Sequence, residues 1–487
     1  MKNKIKNKIA TLVMCAVVGI GTTFAETPFA GGTGTYNDPF LIETPAQLDS
    51  VRNHLDAHFA LTSDLDMAGV EFRPIGRNAE GVGSVPFTGS LDGRDHIIRN
   101  LTIVDSAQDV ALFSRIELAV EDSGQIAIQN LGLVNSNIYN RITAPAANRT
   151  ATFVGTFIRG TMVNIFADSA EVVSSIGITG GLIATLQAGR LSESWFSGSV
   201  TAVGNIVGGL VGTSSGSGTL SGSIIENSYS TGSIQANTNV GGIVGNASHT
   251  STIRNVWSSA SVRANGNGNA GGIAGTITQQ TRLETSVSLA PTIRSGNGNA
   301  FRIGTRGGTA AAFFVNNLAL ATTELWSGVL DQDTDTLITL VLAELDTVNG
   351  QSITMAQAQT QATFTTAPFA WDFEYIWKMN PNEPRLPVFI WQVDEENGYE
   401  PEPPPSSINP SLPASVAVSV SPNPTFGEVS IAIENAEIKQ VLIFTMTGQQ
   451  VFSTTHSEFN IEHLSRGIYV VHIITDVGNF VSRIIRR

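Results

Sequence analysis

The acidic side chains of the glycine-rich central region are the first candidates for catalysis. Residues 169–323 contain no Asp and no Lys, and their carboxylates are Glu171, Glu193, Glu226 and Glu284. Glycoside hydrolysis needs two carboxylates flanking the bond, and polysaccharide lyases usually need a carboxylate-bound calcium and a basic residue. The last three glutamates recur at or near one position of an internal repeat, so we expect them on successive turns. Such a row of like charges is more typical of a solvated face than of a catalytic pair, and it predicts a protein that is not an enzyme.

Metal-binding patterns are also incomplete. His54 and His58 are one helical turn apart, but the Glu that follows the first His in zinc peptidases is missing, which favours two polar helix positions. Residues 331–335 (Asp-Gln-Asp-Thr-Asp) begin like a calcium loop but lack the Gly required at its sixth position, so a solvated loop is favoured. Asp64 and Asp66 alternate with an apolar residue, as on a half-buried strand. We therefore expect no cofactor, with calcium as a weak alternative.

An internal repeat carries these side chains. The motif Val-Gly-Gly-Leu-Val-Gly at 207–212 returns in variants at 240–245 and 270–275, in steps of 33 and 30 residues. Its paired glycines are Gly208, Gly209, Gly241, Gly242, Gly271 and Gly272. Glycine pairs suit a tight corner at which neighbouring backbones approach closely. Repeats of this length indicate stacked units, each burying its apolar face against its neighbours.

The repeat unit is built from strands. Short alternating or β-branched runs are separated by Gly, Asn and Ser, and no stripe of helical period is long enough for a helix. We predict an all-β fold, a right-handed parallel β-helix with capping segments. A β-propeller is the main structural alternative, but a blade has four strands and usually needs more than these 30 to 33 residues.

One position of the repeat is aromatic. Trp195, Tyr229 and Trp257 occupy the same slot in three successive units, so they should form a ladder. Large rings in every repeat are most simply a packing device inside the coil. A ladder facing outward would instead stack against the sugar rings of a glycan, and the neighbouring Ser and Thr residues fit either case.

The coil is expected to be closed at both ends. We assign residues 26–105 to an N-terminal cap and lead-in, 106–325 to the repeats and 326–392 to a C-terminal cap rich in aromatic residues. A helix is predicted from Pro45, with Thr44 as its N-cap. Caps are needed because an open end would expose a row of unpaired backbone groups.

The N-terminus has the pattern of a secretory signal peptide. Residues 1–25 combine a Lys-rich start, an apolar run and a small-residue exit, which predicts cleavage between Ala25 and Glu26. An uncleaved anchor is disfavoured because the apolar run is well short of the roughly 20 residues that span a bilayer. Lipidation of Cys15 is disfavoured because small residues do not precede it.

The glycine motif and its Asn-Ser-Trp or Asn-Ser-Tyr partner resemble the GLUG repeat family. That family occurs in bacterial surface proteins, in adhesin-like proteins and in the non-catalytic parts of immunoglobulin-A-cleaving metallopeptidases. The resemblance extends over residues 27–391, including the lead-in Gly31–Ile42 and the ending Trp371–Phe373. It implies a surface-exposed β-solenoid with an adhesive role.

A separate domain follows an acidic, proline-rich linker at residues 393–415. Residues 416–487 show the alternating strands of a small β-sandwich. They resemble the sorting domain of the type IX secretion system, and the matching residues are Pro422, Asn423, Pro424, Gly427, Gly448, Gly467 and Tyr469. The resemblance implies export by the type IX machinery, removal of the domain during export, and release or attachment at the cell surface.

Charge narrows the range of partners. After Ala25 the chain has 27−4=23 basic and 41 acidic residues, a formal charge of −18. Such a balance disfavours nucleic acid and anionic lipid, and no later stretch is apolar enough to cross a bilayer. We predict a secreted or cell-surface, adhesin-like protein that binds an unknown glycan or surface protein. The alternative is a carbohydrate-active enzyme or a glycan-binding module on a β-helix.

Overall fold

The protein is all-β and is built around a parallel β-helix, as the sequence predicts. In-register strand pairs stack ten buried residues, one per rung: Phe40, Phe59, Leu91, Ile128, Met162, Leu191, Ile225, Ile253, Leu283 and Phe314. The computed structural model describes residues 28–78, 83–122, 124–142, 148–204, 206–216, 222–308, 312–328, 336–339, 344, 346–393, 418–421, 425, 427–433, 437–445, 450–465, 467–475 and 479–486. The signal peptide with Ala25 and Glu26, most of the linker, and Asp331–Asp335 lie outside these residues.

Two sheets wind along the coil. The strands of the larger sheet are Phe40–Ile42, His58–Leu61, Leu65–Asp66, Ser90–Asp92, Ile97–Arg99, Thr102–Asp105, Phe113–Glu117, Ile126–Val134, Asn137–Asn140, Val154–Ser174, Ile183–Ser192, Trp195–Ala202, Val211–Ser215, Ile224–Ala236, Val244–Ala247, Thr252–Ser258, Ser261–Ala264, Ala274–Ile277, Arg282–Glu284, Val287–Ser288, Thr292–Ser295, Gly304–Arg306, Phe313–Val315, Leu318–Leu320, Glu324–Ser327, Thr336–Leu337 and Gln351–Ile353. The strands of the smaller sheet are Asp109–Val110, Arg149–Thr150, Ile178–Gly180, Ile206–Gly208, Asn239–Gly241, Ala270–Gly271 and Ala300–Phe301.

The N-terminal segment begins the stack. The predicted helix is present as the α-helix Pro45–Ser50, which continues as a 3-10 turn at Val51–Asn53. Thr44 caps it, because its side chain accepts a hydrogen bond from the Gln47 backbone N–H while the Gln47 side chain bonds back. Leu48 and Val51 are fully buried in the coil core. The lead-in therefore contributes rungs of its own and shares one core with the repeats.

The C-terminal rung contains an arginine where earlier rungs have glycine. In Ala300–Gly304, Arg302 takes the position of the second corner glycine, Gly272 in the preceding rung. Its side chain is 1% exposed. It donates hydrogen bonds to the carbonyls of Asn349 (2.9 Å) and Gly350 (2.7 Å) and to Ser352 Oγ (2.9 Å). Burial lowers the pKa of this guanidinium, which is held by neutral oxygens of the segment that covers the last rung.

The C-terminal domain has the predicted sandwich architecture. One sheet contains Val418–Ser421, Glu428–Ile433 and Glu458–Asn460, and the other contains Gln450–Thr454, Ile438–Thr445, Gly467–Thr475 and Asn479–Arg486. Val429 and Ile431 of the first sheet share a buried cluster with Val441, Ile443 and Val471 of the second. Alternation along each strand places these side chains on the inner faces.

We expect Arg302→Ala to lower the free energy of unfolding by about 3 kcal/mol, because buried carbonyls lose their donors. Chemical denaturation of the full chain measures this change. Arg306→Ala is the matched control, since Arg306 is exposed four residues away and its guanidinium lies over the ring of Phe314. Equal losses in the two variants would contradict a closing role for Arg302.

Candidate functional site

The predicted aromatic ladder exists and is longer by one ring. Phe166, Trp195, Tyr229 and Trp257 are paired in register on successive rungs. Their ring centroids are 5.0, 5.6 and 4.6 Å apart, and each pair of planes lies within 4° of parallel. Each ring is less than a tenth exposed. Offset stacking of this kind adds to the free energy of burial.

The ladder points away from the interior of the coil. Its rings belong to a buried cluster separate from the coil core, and the next residues, Phe196, Ser230 and Ser258, are the ones that turn inward. Residues 355–393, which we call the strap, cover the rings. Both alternatives drawn from the sequence therefore need correction, because the ladder is neither inside the coil nor open to solvent.

The strap runs back along the flank of the coil. Its elements are the helices Met355–Ala358 and Ala362–Thr365, the antiparallel strands Trp377–Met379 and Pro387–Phe389, and the 3-10 turn Ile390–Gln392. The expectation that 326–392 closes the C-terminal end is thus wrong for its larger part. The outward rings and the apolar residues of the strap can be buried only against each other, so the strap follows the ladder.

Polar atoms of the rings are bonded to the strap. The Tyr229 hydroxyl donates to Gln392 Oε1 (3.1 Å) and accepts from Gln392 Nε2 (2.7 Å). Trp257 Nε1 donates to the Pro387 carbonyl at 2.9 Å. Burial raises the pKa of the Tyr229 hydroxyl, so the phenol stays neutral. These bonds fix the register of the strap against the ladder.

The repeat glycines form the expected close corners. A Cβ on Gly209 would lie 1.9 Å from the Gly242 carbonyl oxygen, and one on Gly242 would lie 2.1 Å from that of Gly272. Gly208, Gly241 and Gly271 end the short strands just before these corners and are equally crowded. The inward serines fill the remaining space, because Ser230 Oγ donates to the Gly242 carbonyl. Any side chain at these glycines would collide with the next backbone.

A second column interrupts the rungs two residues before each ring. Asn164, Asn227 and Asn255 occupy it with φ between 45° and 51°, and Glu193 holds the same position with φ 50°. Asn130 (φ 50°) continues the column on the rung before Phe166. Asn tolerates the left-handed region, whereas Glu rarely adopts it. Side-chain amides bond along the column, as between Asn164 Nδ2 and Asn130 Oδ1 at 2.9 Å. Glu193 breaks this ladder of amides.

The environment of Glu193 disfavours its charge. Burial raises the pKa of the Glu193 carboxyl most, Arg190 opposes this, and the carboxylates of Glu226 and Asp372 raise it further. The folded state therefore holds this proton more tightly than the unfolded chain does.

The other repeat glutamates are paired with arginines. Glu226 is 2% exposed, so the expected solvated face is wrong at this position. It forms ion pairs with Arg190 and with Arg254, the latter at 2.6 Å, and Glu284 pairs with Arg282. By register Arg254 stands between the two glutamates. Two like carboxylates facing one bond are therefore absent from this column.

The histidines and aspartates of the lead-in have separate partners. The His54 ring packs against Phe29 and Phe40, and His58 Nδ1 lies 2.8 Å from Ser90 Oγ. His54 follows the 3-10 turn and His58 starts a strand, so the expected shared helix ends before them. Burial lowers the pKa of His58.

The two alternating aspartates are occupied by donors. Asp64 Oδ1 accepts the Ile97 backbone N–H, and Asp66 Oδ1 accepts from Asn100 Nδ2 at 2.9 Å. Hydrogen bonds, above all the one from Asn100, lower the pKa of Asp66. Across the part of the chain that the structure describes, no group of three or more His, Cys, Asp or Glu side chains could hold a metal ion.

A cleft of about 1000 Å³ lies beside the edge strand Thr102–Asp105. Two of its arginines face carboxylates of the same cleft: Arg52 Nε donates to Asp49 Oδ1 at 3.1 Å, and Arg77 Nε lies 2.7 Å from Asp105 Oδ2. This cleft could not be predicted from the sequence, because much of its wall is the loop 67–77, which has no repeat character. Its charges tie that loop to the first rungs.

Part of the predicted sorting motif can be located. Gly467 begins a strand, and Tyr469 is buried with its hydroxyl donating to the Ser465 carbonyl at 2.7 Å. Gly427 has φ 152° and its backbone N–H donates to Thr425 Oγ1. The remaining motif residues, Pro422, Asn423, Pro424 and Gly448, lie outside the described residues.

Residues 419–487 match the family model described as "Secretion system C-terminal sorting domain". This match confirms the type IX sorting domain predicted from the sequence and indicates export of the protein to the cell surface or the medium. Within the described residues, no helix is long and apolar enough to span a membrane.

Two curated proteins align with parts of the chain. A "Putative Gly-rich membrane protein" of Evansella cellulosilytica is 41% identical over 83 residues, which cover 15% of this chain and 9% of that protein. "Halomucin" of Haloquadratum walsbyi is 30% identical over 177 residues, covering 34% of this chain and 2% of that protein. The chain thus spans less than a tenth of the length of either relative.

Two solved structures resemble the fold. A crystal structure of "a putative immunoglobulin A1 protease" from Bacteroides ovatus shares 19% identity, with a TM-score of 0.49 over 74% of this chain and 95% of that chain. A structure described as "IgA1 Protease" shares 18% identity, with a TM-score of 0.41 over 62% of this chain and 23% of that chain.

We expect Trp257→Ala to lower the free energy of unfolding by about 3–5 kcal/mol, because a buried ring, its stacking and its bond to the strap are lost together. Thermal and chemical unfolding of the full chain measure the change. Trp326→Ala is the control, since Trp326 is half-buried outside the ladder. A variant that keeps its melting temperature would show that the strap does not depend on the ladder.

Glu193→Asn should stabilise the protein at neutral pH by about 1 kcal/mol, because Asn accepts the left-handed conformation and carries no charge. Because folding raises the pKa of Glu193, the contribution of this carboxyl to stability is fully present below its ordinary pKa and is lost as the pH rises through the folded-state pKa. The gain should therefore shrink as the pH falls to the ordinary carboxyl value of 4.5. Glu284→Asn, on a regular strand, is the control in melting curves across this pH range, and a gain there would contradict the argument.

Proposed function

We propose that this protein is a non-enzymatic, adhesin-like β-solenoid of the GLUG type that binds a glycan or a surface protein outside the cell. The sorting domain supplies the extracellular location. The adhesive role rests on the shape of the coil, which offers one continuous surface over successive rungs.

The observation that carries the proposal is the flat polar flank of the repeats. Ser199, Ser233 and Ser261 are stacked in register and face outward, with Thr201 and Gln235 beside them on the same side. Ladders of short polar side chains at the spacing of the rungs offer many equivalent hydrogen bonds to an extended partner. Distributed contacts of this kind suit binding rather than one reaction centre.

The pairing of the carboxylates also supports binding over hydrolysis. Glu226 and Glu284 are held by arginines, whereas hydrolysis needs one carboxyl free to protonate the leaving group and a second to attack or to activate water. The competing function is that of a carbohydrate-active enzyme, and a binding screen with product analysis distinguishes it from binding alone.

The test is a binding screen of the full chain against a panel of polysaccharides and host matrix proteins, with product analysis of every polysaccharide. We expect saturable binding to at least one member and no shortened products. Products that persist through purification would overturn the non-enzymatic proposal, and absence of binding across the panel would overturn the adhesive one.

A further inference from the structure

Three half-exposed arginines gather on one flank of this acidic protein. Arg190, Arg254 and Arg282, which we call the arginine row, have side chains 48%, 44% and 48% exposed. Arg190 and Arg282 share one outward column, with Ile224 and Thr252 between them. Because rungs are ~4.8 Å apart, the row extends over about 14 Å.

Glu226 holds two of the guanidinium groups in place. It lies almost fully buried between Arg190 and Arg254, and Arg254 donates to it through Nε at 2.7 Å. A guanidinium has five N–H donors, so each arginine keeps donors for a ligand after it has bonded to the carboxylate. Glu226, Glu284 and the half-buried Glu193, which interacts with Arg190, face the three arginines, so the row has no excess of formal charge. The pairing orients the guanidinium groups and leaves several of their N–H donors for a ligand.

An aromatic ring continues the same column. Phe313 pairs with Arg282 on the next rung and is 43% exposed. Ile224 and Thr252 are half-buried in the column and give it a low, flat profile between the charged side chains. Exposed rings beside hydrogen-bond donors are the elements that bind sugars, because a ring stacks on the apolar face of the sugar while donors meet its oxygens.

We propose that the arginine row and Phe313 form a binding face for a linear acidic polysaccharide, one that bears carboxylate or sulfate groups. Guanidinium groups pair with such anions in a bidentate manner. The chain lies along the coil axis, so that successive sugars meet successive rungs. This inference rests on the proposed function, and it names the face and the chemical class of the ligand.

Charge density favours a polysaccharide over nucleic acid. Nucleic-acid binding depends on neutralising many closely spaced phosphates, and the chain after Ala25 carries a formal charge of −18. The row offers three guanidinium groups, two of them tied to one carboxylate. It matches a polymer with no more than about one charge per sugar.

The experiment measures binding of the full chain to polygalacturonate and chondroitin sulfate, with neutral dextran and oligothymidylate as comparison probes, at several salt concentrations. Arg190→Gln combined with Arg282→Gln removes two charges and leaves Arg254 on Glu226. Arg73→Gln combined with Arg385→Gln removes two exposed arginines elsewhere as the matched control. Phe313→Ala tests the ring alone, and melting temperatures verify folding of every variant.

We expect at least one acidic polysaccharide to bind. In the row variant its dissociation constant should rise about tenfold or more, and binding should depend less steeply on salt concentration. The control should bind like the unmodified chain, and neutral dextran should not bind. Equal effects in row variant and control, or tighter binding of oligothymidylate, would overturn the inference. If the chain binds another member of the screening panel and the row variant binds it equally well, only this face is rejected. If nothing binds, the proposed function is rejected as well.

Discussion

Register between parallel rungs is the constraint on which the rest of the structure depends. Each strand takes its backbone hydrogen bonds from the rung before and the rung after, so a residue is always stacked on its counterpart one turn away. Inside the coil this produces the column from Phe40 to Phe314, and at the corners it demands glycine because the next backbone lies within 2.2 Å of the missing Cβ. The same stacking lines up the rings and the charged side chains on the outside.

The sequence predicts the features that recur in every repeat, but it predicts little about the segments outside the repeats. The strands, the glycine corners and the ladder of Trp195, Tyr229 and Trp257 follow from periodicity alone. Periodicity does not show whether the rings face the interior of the coil or its outside, because the residues next to them in the strand are also compatible with burial. Only the strap, which has no repeat of its own, decides between them through bonds such as Trp257 to Pro387. The cleft beside Thr102–Asp105 escaped prediction for the same reason.

Departures from the repeat mark its special positions. Arg302 stands where a glycine is expected because Ala300–Phe301 is the last strand of the smaller sheet, and the space beyond it is filled by hydrogen bonds to carbonyls. Glu193 stands in a column of asparagines, and burial raises the pKa of its carboxyl. The charges of Glu226 and Arg254 were visible in the sequence, but their pairing was not, because it needs the register of two rungs. A residue that departs from its column thus indicates a special local environment, whereas one that continues the column indicates only the repeat.

The strap also sets an order of assembly. Gln392 bonds to Tyr229 across 163 residues, and Pro387 to Trp257 across 130, so these contacts have a far larger sequence separation than those between neighbouring rungs. Contacts of high contact order form late, because the loop they close is long. Until then the stacked rings form an exposed apolar surface along the coil, and such a surface promotes association between incomplete chains. A polypeptide that ends before residue 355 leaves this apolar surface exposed, so the coil is fully covered only once the strap has been synthesised.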